Sequence, residues 1–165
     1  MITAVQRCTS ASVSVDGIVV GSIGKGLLLF VCVEHGDTAA DARETVRKLL
    51  GLRCFPDRTP MDLNVAQVGG SCLVVSQFTL AGELRHGNRP DFTAAAPPDH
   101  ARALYEQVAC EIEAAGVPTA CGVFGAKMLV QLENDGPVTL LMRVRDGKVR
   151  SLREDGTVAP PARGG

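Results

Sequence analysis

The stretch LLLFVCV, residues 27–33, decides the class of fold because it is apolar at every position. Alternation of apolar and polar residues would indicate a strand with one solvated face, and this run shows none. It therefore predicts a central strand that is covered on both sides. A second run, CLVVSQFTL at residues 72–80, predicts another buried strand.

Further strand patterns surround these two runs. Residues 3–7 and 11–15 alternate as strands do, and Asp16-Gly17 predicts a hairpin turn into the strand IVVGSI. Two later apolar runs, KMLVQLE and VTLLMRV, predict two more strands. Six or seven strands are expected in all.

Two amphipathic segments predict helices. Thr38 and Asp41 match a capping box at the start of the first helix. Asp99 is the expected cap of the second helix, which Gly116 and Pro118 end. The expected fold is therefore α/β (mixed α+β), with a mixed β-sheet or small barrel-like core and two main helices outside it.

The composition is that of an ordinary single-domain protein. The 165 residues carry a net charge of −1, which argues against a broad surface for DNA but allows a small pocket for one RNA end. No secretion signal or long apolar span is apparent, so we expect a cytoplasmic protein without membrane contact.

The six cysteines form no C-x-x-C pair, and we expect reduced, buried thiols and no metal or other cofactor. The expected folded domain is 1–145, and 146–165 is a charged, Pro- and Gly-rich C-terminal tail.

Conventional catalytic sets do not stand out. G-x-S-x-G and Walker motifs are absent, and the histidines match no metal motif. The remaining candidate for a catalytic segment is SQFTL, where polar residues stand at the end of a buried strand. Ser76 and Gln77 either mark an exposed strand end or line a pocket, where backbone N–H groups and the Thr79 hydroxyl face a carbonyl or its oxyanion. The histidines fall in predicted loops or at a helix start: His35, His86 and His100.

The stretch ENDGPVT, residues 133–139, is a second unusual feature. Asn134, Asp135, Gly136 and Pro137 are all turn formers, so a β-hairpin turn is the simplest interpretation. Proline, however, cannot donate a ladder hydrogen bond, and the bond before it adopts the cis form at modest cost. A rigid backbone device is therefore the alternative.

The segments VVSQFTLAGELRHGNRPDF and GVFGAKMLVQLENDGPVT resemble the two signature segments of the D-aminoacyl-tRNA deacylases, also called D-tyrosyl-tRNA deacylases. The resemblance extends to AVQRCTSASVSVDGIVVGSIGKGLLLFVCVEHGDT, LGLRCFPD, MDLNVAQVGGSCLVVSQFTL and AAAPPDHARALYE, and it runs from residue 1 to about residue 143. Ala81 and Gly82 depart from it, because the family often has an aromatic residue after Leu80. Lys127 stands where an acidic or small residue is common.

The resemblance implies a homodimeric hydrolase, active without a cofactor, that cuts the ester between tRNA and a D-amino acid or glycine. It implies that Gly136-Pro137, in the cis form, reaches into the other subunit's active site and excludes L-amino acids by a clash. Water is the implied nucleophile, assisted by the 2′-hydroxyl of the terminal adenosine. Two alternatives remain: a non-catalytic module that binds RNA ends, and an esterase with Thr79 as nucleophile.

The resemblance also assigns roles to single residues. Ser76, Gln77, Phe78 and Thr79 match the catalytic motif, with the Phe78 and Thr79 amides as candidate donors to the carbonyl or oxyanion. Thr79 needs an activating base to act as a nucleophile, and the sequence suggests none.

Further residues have implied roles outside that motif. Arg7 would hold the Gly-Pro loop, unless it is a solvated strand-edge charge. Phe124 and Met128 would line or back the adenosine pocket, unless they are plain core. Three more residues are candidates for phosphate contacts with the tRNA: Lys25, Arg85 and Arg89.

Overall fold

The protein folds around one curled, mixed sheet. The structure is a computed structural model, and within residues 1–85 and 87–151, which it describes, seven strands form this sheet and two α-helices pack on it. In chain order, the elements are β1 (Ile2–Val15), β2 (Ile18–Ile23), β3 (Gly26–Cys32), α1 (Ala39–Leu50), β4 (Ser71–Ser76), a 3₁₀ helix (Phe78–Ala81), α2 (Pro98–Ala114), β5 (Thr119–Cys121), β6 (Leu129–Arg145) and β7 (Lys148–Arg150).

Strand β3 lies inside the sheet, whose strand order is β5-β4-β3-β1-β6-β7. It pairs in parallel with β4 and antiparallel with β1, and β4 pairs in parallel with β5. The helices connect the parallel strands, and their apolar stripes pack on one face of β3 and β4. The predicted mixed sheet, its buried central strand and its two outer helices are therefore confirmed.

The two strands predicted at 3–7 and 11–15 are one strand, β1. Its register with β6 shifts around Cys8, which explains the break in the alternating sequence pattern. β1 pairs with β3 through its first half and with β2 through its second half. The second half curls over the sheet, so that Val13 packs in one apolar cluster with Leu73 of β4. This curl gives the sheet a barrel-like inner core.

The helix starts follow two different rules. Thr38 caps α1, and its backbone N–H donates to the Asp41 carboxylate at 2.8 Å, as the capping box predicts. Helix α2 begins at Pro98 with Pro97 in the cap position, so the predicted Asp99 cap is wrong. Proline suits the first helical position because it has no N–H group that needs an acceptor there.

Strand β6 continues through the ENDGPVT stretch, so the hairpin interpretation is wrong. Cys8 pairs with Asn134 and Gln6 pairs with Thr139, which leaves residues 135–138 looped out of the ladder opposite β1. An insertion of this kind is a bulge, in which extra residues of one strand oppose fewer residues of its partner.

The sheet extends into the segment predicted as a tail. Asp146 and Gly147 form a turn with positive φ values of 54° and 66°, and β7 then pairs with β6. The Gly147 N–H donates to the Asp41 carboxylate at 2.9 Å, which ties this turn to α1. The rest of the predicted tail, from residue 152 onward, lies outside the described residues.

The cysteines are free thiols, and most are buried as predicted. Cys110, however, is exposed on α2, and Cys121 is half-buried, so the expectation of burial is wrong for Cys110. In the described part of the chain, the helices are too short or too polar to cross a membrane.

Candidate active site

A cavity of about 490 Å³ opens where β3 and β4 end, beside α2. Parallel strands bring their carboxyl ends to one edge of a sheet, where ligands commonly bind. The walls are mostly apolar, and the volume lies within the usual range of small-molecule sites. Five of the predicted site residues line this cavity: Ser76, Gln77, Phe78, Phe124 and Met128.

Ser76, Gln77 and Phe78 form one edge, or rim, of the cavity, and Thr79 follows this rim without lining the cavity. Strand β4 ends at Ser76, so the strand predicted at 72–80 is too long. The Gln77 N–H still donates to the Val31 carbonyl at 2.9 Å, and the chain then turns into the 3₁₀ helix. The Gln77 side-chain amide donates to the Thr79 hydroxyl. An amide cannot take a proton from that hydroxyl, so this contact does not activate Thr79 as a nucleophile.

The Phe78 and Thr79 amides occupy the first two positions of the 3₁₀ helix. Such amides have no acceptor within the helix, and among the described residues neither donates to another backbone group. The Phe78 carbonyl is engaged, because the Cys32 thiol lies 3.5 Å from it. Two adjacent unbonded N–H groups are the type of donor that stabilises a developing oxyanion.

An aromatic pair supports this rim. The Phe78 ring is 58% exposed, and Phe92 meets it edge to face with 5.2 Å between ring centroids. A β-carbon added to Gly82 would lie only 3.0 Å from the Phe92 ring and 3.0 Å from the Thr79 carbonyl oxygen. The Phe92 ring thus fills the space beside Gly82, which gives a physical reason for one departure from the family pattern.

Helix α2 supplies the opposite wall, which the sequence did not reveal as part of a site. The Tyr105 hydroxyl donates to the Val74 carbonyl at 2.8 Å and fixes the helix to β4. Burial raises the pKa of Tyr105 well above its ordinary value of 10.0, so the phenol stays neutral. The Tyr105 ring contacts the Phe124 ring, with 5.7 Å between their centroids. The Arg102 guanidinium carbon lies 5.0 Å from the centroid of the Phe124 ring.

The third wall, residues 94–96, pairs with residues 33–35, which include the buried Glu34. This segment hydrogen bonds to residues 33–35, with 3.0 Å between the Ala96 nitrogen and the Val33 oxygen. Glu34, which is 4% exposed, accepts from Arg143 of β6, and its N–H donates to Asp37 at 2.7 Å. The cavity wall is therefore fastened to β6 through charged groups.

Gly136 and Pro137 lie away from this cavity, beside Arg7. The peptide bond between them is cis. Arg7 Nε lies 3.1 Å from the Asp135 carbonyl oxygen and 3.0 Å from its carboxylate, while Nη1 lies 2.6 Å from the Cys54 carbonyl oxygen. Arg7 is only 7% exposed, so its alternative as a solvated charge is wrong.

Asn134 closes the bulge, a role that the sequence analysis missed. Its Oδ1 accepts from the Val138 N–H at 2.9 Å, and its Nδ2 lies 3.0 Å from Gln6 Oε1. The side chain replaces ladder hydrogen bonds that residues 135–138 do not make. The sequence signal was the Asn-Asp-Gly run, because Asn side chains bond to nearby backbone groups in turns.

The predicted site residues therefore form two separate groups in one chain. Val130 lines the cavity, and Gly136 lies further along the same strand, β6. At about 3.3 Å per residue, the strand between them spans roughly 20 Å. Gly136 and Pro137 are both exposed, near the middle of β6.

The predicted phosphate contacts do not line the cavity. Lys25 lies before the first residue of β3, with its Nζ 5.8 Å from the centroid of the Phe55 ring. Arg85 pairs with Glu83 at 2.7 Å, and Arg89 is exposed in the same loop. Their roles stay predictions.

The cavity lining contains no histidine or carboxylate among the residues that the structure describes. His35 and His100 are exposed, and His100 Nε2 lies 2.8 Å from the Asp37 carbonyl oxygen. His86 lies outside the described residues. Within that described part, no group of three or more His, Cys, Asp or Glu is placed to hold a metal.

Comparisons with known proteins agree with this architecture. Residues 4–143 match the family model described as D-Tyr-tRNA(Tyr) deacylase. The D-aminoacyl-tRNA deacylase of Ruegeria pomeroyi is 50% identical over 141 residues, which cover 85% of this chain and 97% of that protein. The D-aminoacyl-tRNA deacylase of Anaeromyxobacter dehalogenans is 52% identical over 142 residues, which cover 86% and 95%.

Solved structures share the fold. The c-Myc DNA Unwinding Element Binding Protein is similar with a TM-score of 0.83 and 36% identity, covering 88% of this chain and 99% of that one. A probable eukaryotic D-amino acid tRNA deacylase has a TM-score of 0.73 at 18% identity, with 85% and 97% covered. The resemblance predicted from the sequence is confirmed: the chain belongs to the D-Tyr-tRNA(Tyr) deacylase family of hydrolases.

Proposed function

We propose that this protein hydrolyses the ester bond between tRNA and a D-amino acid, and that it also accepts glycyl-tRNA. The observation that carries the proposal is an apolar cavity of about 490 Å³ that Phe78 lines, with the unbonded N–H groups of Phe78 and of its neighbour Thr79. The cavity takes the terminal adenosine, and the rim takes the ester. The adenine packs against Phe124 and Met128, which also line the cavity.

The Phe78 and Thr79 amides act on the ester carbonyl. As water attacks the carbonyl carbon, the carbonyl oxygen gains negative charge, and the two N–H groups stabilise that charge. Loss of one such donor typically costs about 2.7–4 kcal/mol of transition-state stabilisation. These hydrogen bonds stabilise the tetrahedral intermediate more than the bound substrate, so they raise the rate of hydrolysis and not only the affinity for substrate.

The substrate supplies the proton transfer. No histidine or carboxylate among the described residues lines the cavity, and the Thr79 hydroxyl accepts from Gln77. The 2′-hydroxyl of the terminal adenosine lies next to the ester and assists the attacking water. The acyl–oxygen bond then breaks, and the 3′-oxygen leaves with a proton.

Stereochemical selection comes from Gly136 and Pro137 of a second subunit in a homodimer. Within one chain, roughly 20 Å of strand separates this exposed pair from the cavity, so it serves the partner's cavity. Arg7 and Asn134 hold the segment rigidly. A rigid backbone wall excludes the side chain of an L-amino acid, while a D side chain points away and glycine has none.

Exposed apolar residues support the homodimer. Leu140 and Leu141 of β6 are 38% and 51% exposed, beside Val149 of β7 at 42%. A second copy of the chain would cover such surface.

Lys25 lies at the same end of the sheet as Arg7, because Arg7 pairs with Leu27, two residues after Lys25. In the homodimer, Lys25 would therefore contact the tRNA that is bound to the cavity of the other subunit.

Incubation of the purified protein with D-Tyr-tRNA and L-Tyr-tRNA tests the activity. We expect rapid release of D-tyrosine, release of glycine from Gly-tRNA, and no release of L-tyrosine. Equal rates for the two tyrosine enantiomers, or binding of the D form without turnover, would contradict the proposal. The second outcome would favour a module that binds RNA ends.

The source of the proton transfer needs its own comparison. A tRNA with a 2′-deoxy terminal adenosine should lose far more activity than the Thr79→Ala variant loses with the natural substrate. We expect no acyl-enzyme on rapid denaturation of either reaction. An adduct that disappears in Thr79→Ala would contradict the RNA-assisted mechanism and support a threonine nucleophile.

A further inference from the structure

Two exposed cations are chain neighbours of residues that line the cavity. Arg102 directly follows Ala101, which lines the cavity, and Lys127 lies between the lining residues Ala126 and Met128. Both side chains are exposed. In residues 1–85 and 87–151, no other arginine or lysine is a chain neighbour of a lining residue.

Arg102 is held in place by the cavity wall itself. Its Cζ lies 5.0 Å from the centroid of the Phe124 ring, and Phe124 lines the cavity. A guanidinium over an aromatic face is attracted by the ring and keeps its N–H donors free at the edges. Glu106 is its only ion-pair partner among the described residues, at the limiting distance of 4.0 Å. Most of the positive charge is therefore available to a ligand.

We infer that Arg102 binds the phosphate group that precedes the terminal adenosine of the RNA. The inference rests on the proposed function, because an adenosine in the cavity must send its 5′-phosphate out through the mouth. A planar guanidinium matches two phosphate oxygens at once. One or two fixed contacts of this kind also agree with a chain whose net charge is −1, which lacks a broad basic surface.

The proposed phosphate contact lies on helix α2 and not in the loop that carries Arg85 and Arg89. None of Arg85, Arg89 and Arg102 is itself a lining residue, but Arg102 stacks on the lining residue Phe124, whereas Arg85 pairs with Glu83. Arg102 instead occupies the first turns of α2, whose position Tyr105 fixes through its hydrogen bond to β4. The cation is thus preorganised with the wall that holds the base.

Two substrates separate the phosphate contact from the rest of the site. D-Tyr-tRNA carries the phosphate, and D-tyrosyl-adenosine lacks it. We expect Arg102→Met, whose side chain still packs on Phe124, to lower kcat/KM for D-Tyr-tRNA roughly tenfold, mainly through KM. The value for D-tyrosyl-adenosine should change less than twofold. Arg102→Lys keeps the charge and should recover part of the loss.

Salt dependence gives a second readout on tRNA alone. One lost phosphate contact should make the plot of log kcat/KM against log salt concentration shallower by roughly 0.7. Arg43→Met is the matched control, since Arg43 is an exposed arginine of α1, and it should leave both the rate and the slope unchanged. Thermal melting of each variant checks the fold.

Three outcomes would overturn the inference: no loss in Arg102→Met, an unchanged salt slope, or an equal loss on both substrates. The last would show that Arg102 acts only by packing on Phe124. A wild-type protein that releases D-tyrosine from neither substrate would overturn the proposed function itself, so the two failures are distinct.

Discussion

Arg7 of β1 donates through Nε to the carbonyl oxygen of Asp135, 3.1 Å away and directly before the Gly136–Pro137 pair. The same guanidinium also donates to the Cys54 carbonyl at 2.6 Å. One buried cation therefore joins β1, the segment after α1 and the bulge of β6. The position of Gly136 and Pro137 depends on this junction.

Replacement of Arg7 by lysine should damage the proposed selection device. Lysine keeps the charge but has a single nitrogen, which cannot reach the Asp135 and Cys54 oxygens together. Each hydrogen bond to a charged group contributes about 1.5–3 kcal/mol, so we expect kcat/KM for D-Tyr-tRNA to fall roughly 10- to 100-fold. Arg53→Lys is the control, because Arg53 forms an exposed pair with Asp62. Wild-type kinetics in Arg7→Lys would contradict the expectation.

Gly136→Ala tests the same junction from the other side. Gly136 has a φ of +125°, which favours glycine, and an added β-carbon would lie 2.8 Å from Arg7 Nη2. We expect a loss of about 1–3 kcal/mol in the free energy of unfolding and a reduced ratio of D-Tyr to L-Tyr release.

Gly24→Ala provides the comparison for that variant. A β-carbon at Gly24 meets no atom within 4 Å, so this substitution should leave stability and selectivity intact. Urea unfolding and parallel assays with the two tyrosine enantiomers measure both effects. If Gly136→Ala and Gly24→Ala behave alike, the close packing at Arg7 has no functional role.

Phe92→Ala should loosen the rim of the cavity. Phe92 supports the exposed Phe78 ring at 5.2 Å, and such aromatic pairs contribute about 0.5–1.5 kcal/mol beyond area burial. We expect KM for D-Tyr-tRNA to rise roughly two- to tenfold, with a smaller rise in Phe92→Leu, which keeps an apolar side chain. A KM unchanged in Phe92→Ala would show that the rim does not need this ring.

Buried thiols should make the protein less stable in alkali. Burial raises the pKa of Cys32 to about 11 and that of Cys72 to about 12, from an ordinary value of 9.0. Well below pH 9 both thiols keep their protons in the folded and unfolded states, so they add no pH dependence. Between pH 9 and the folded pKa values, only the unfolded state releases protons. The free energy of unfolding should then fall by about 1.4 kcal/mol per pH unit for each thiol.

Urea midpoints at increasing pH, measured with a reductant present, check this slope. Cys32→Ala should make the slope shallower, because one buried thiol is gone. Cys110→Ser should keep it, since Cys110 is exposed. A midpoint that stays constant above pH 9 would contradict the raised pKa values.

Local patterns identified the elements whose burial is uniform. LLLFVCV predicted β3 because both faces of that strand meet apolar layers, and the capping box at Thr38 predicted the start of α1. The breaks within β1 and β6 were misread as strand ends. A bulge disturbs the apolar alternation as a turn does, and only the pairing of Cys8 with Asn134 distinguishes the two.

The candidate site was predicted only in part. The SQFT segment was found because polar residues interrupt an apolar run, and the resemblance gave that segment a meaning. Tyr105 and Arg102 were missed, because residues of an amphipathic helix reveal a cavity only once the helix is placed against the sheet. Lys25 was predicted to contact a tRNA phosphate, yet it lies at the opposite end of β3 from the cavity.

The separation of cavity and Gly136–Pro137 along β6 has a genetic consequence. If each catalytic centre combines parts of two chains, a chain damaged at Gly136 and a chain damaged at Ser76 can repair each other. Their mixed dimer would contain one centre built wholly from intact parts, although neither parent assembles any. Co-expression of two inactive alleles should therefore restore D-amino acid tolerance to a cell that depends on this protein.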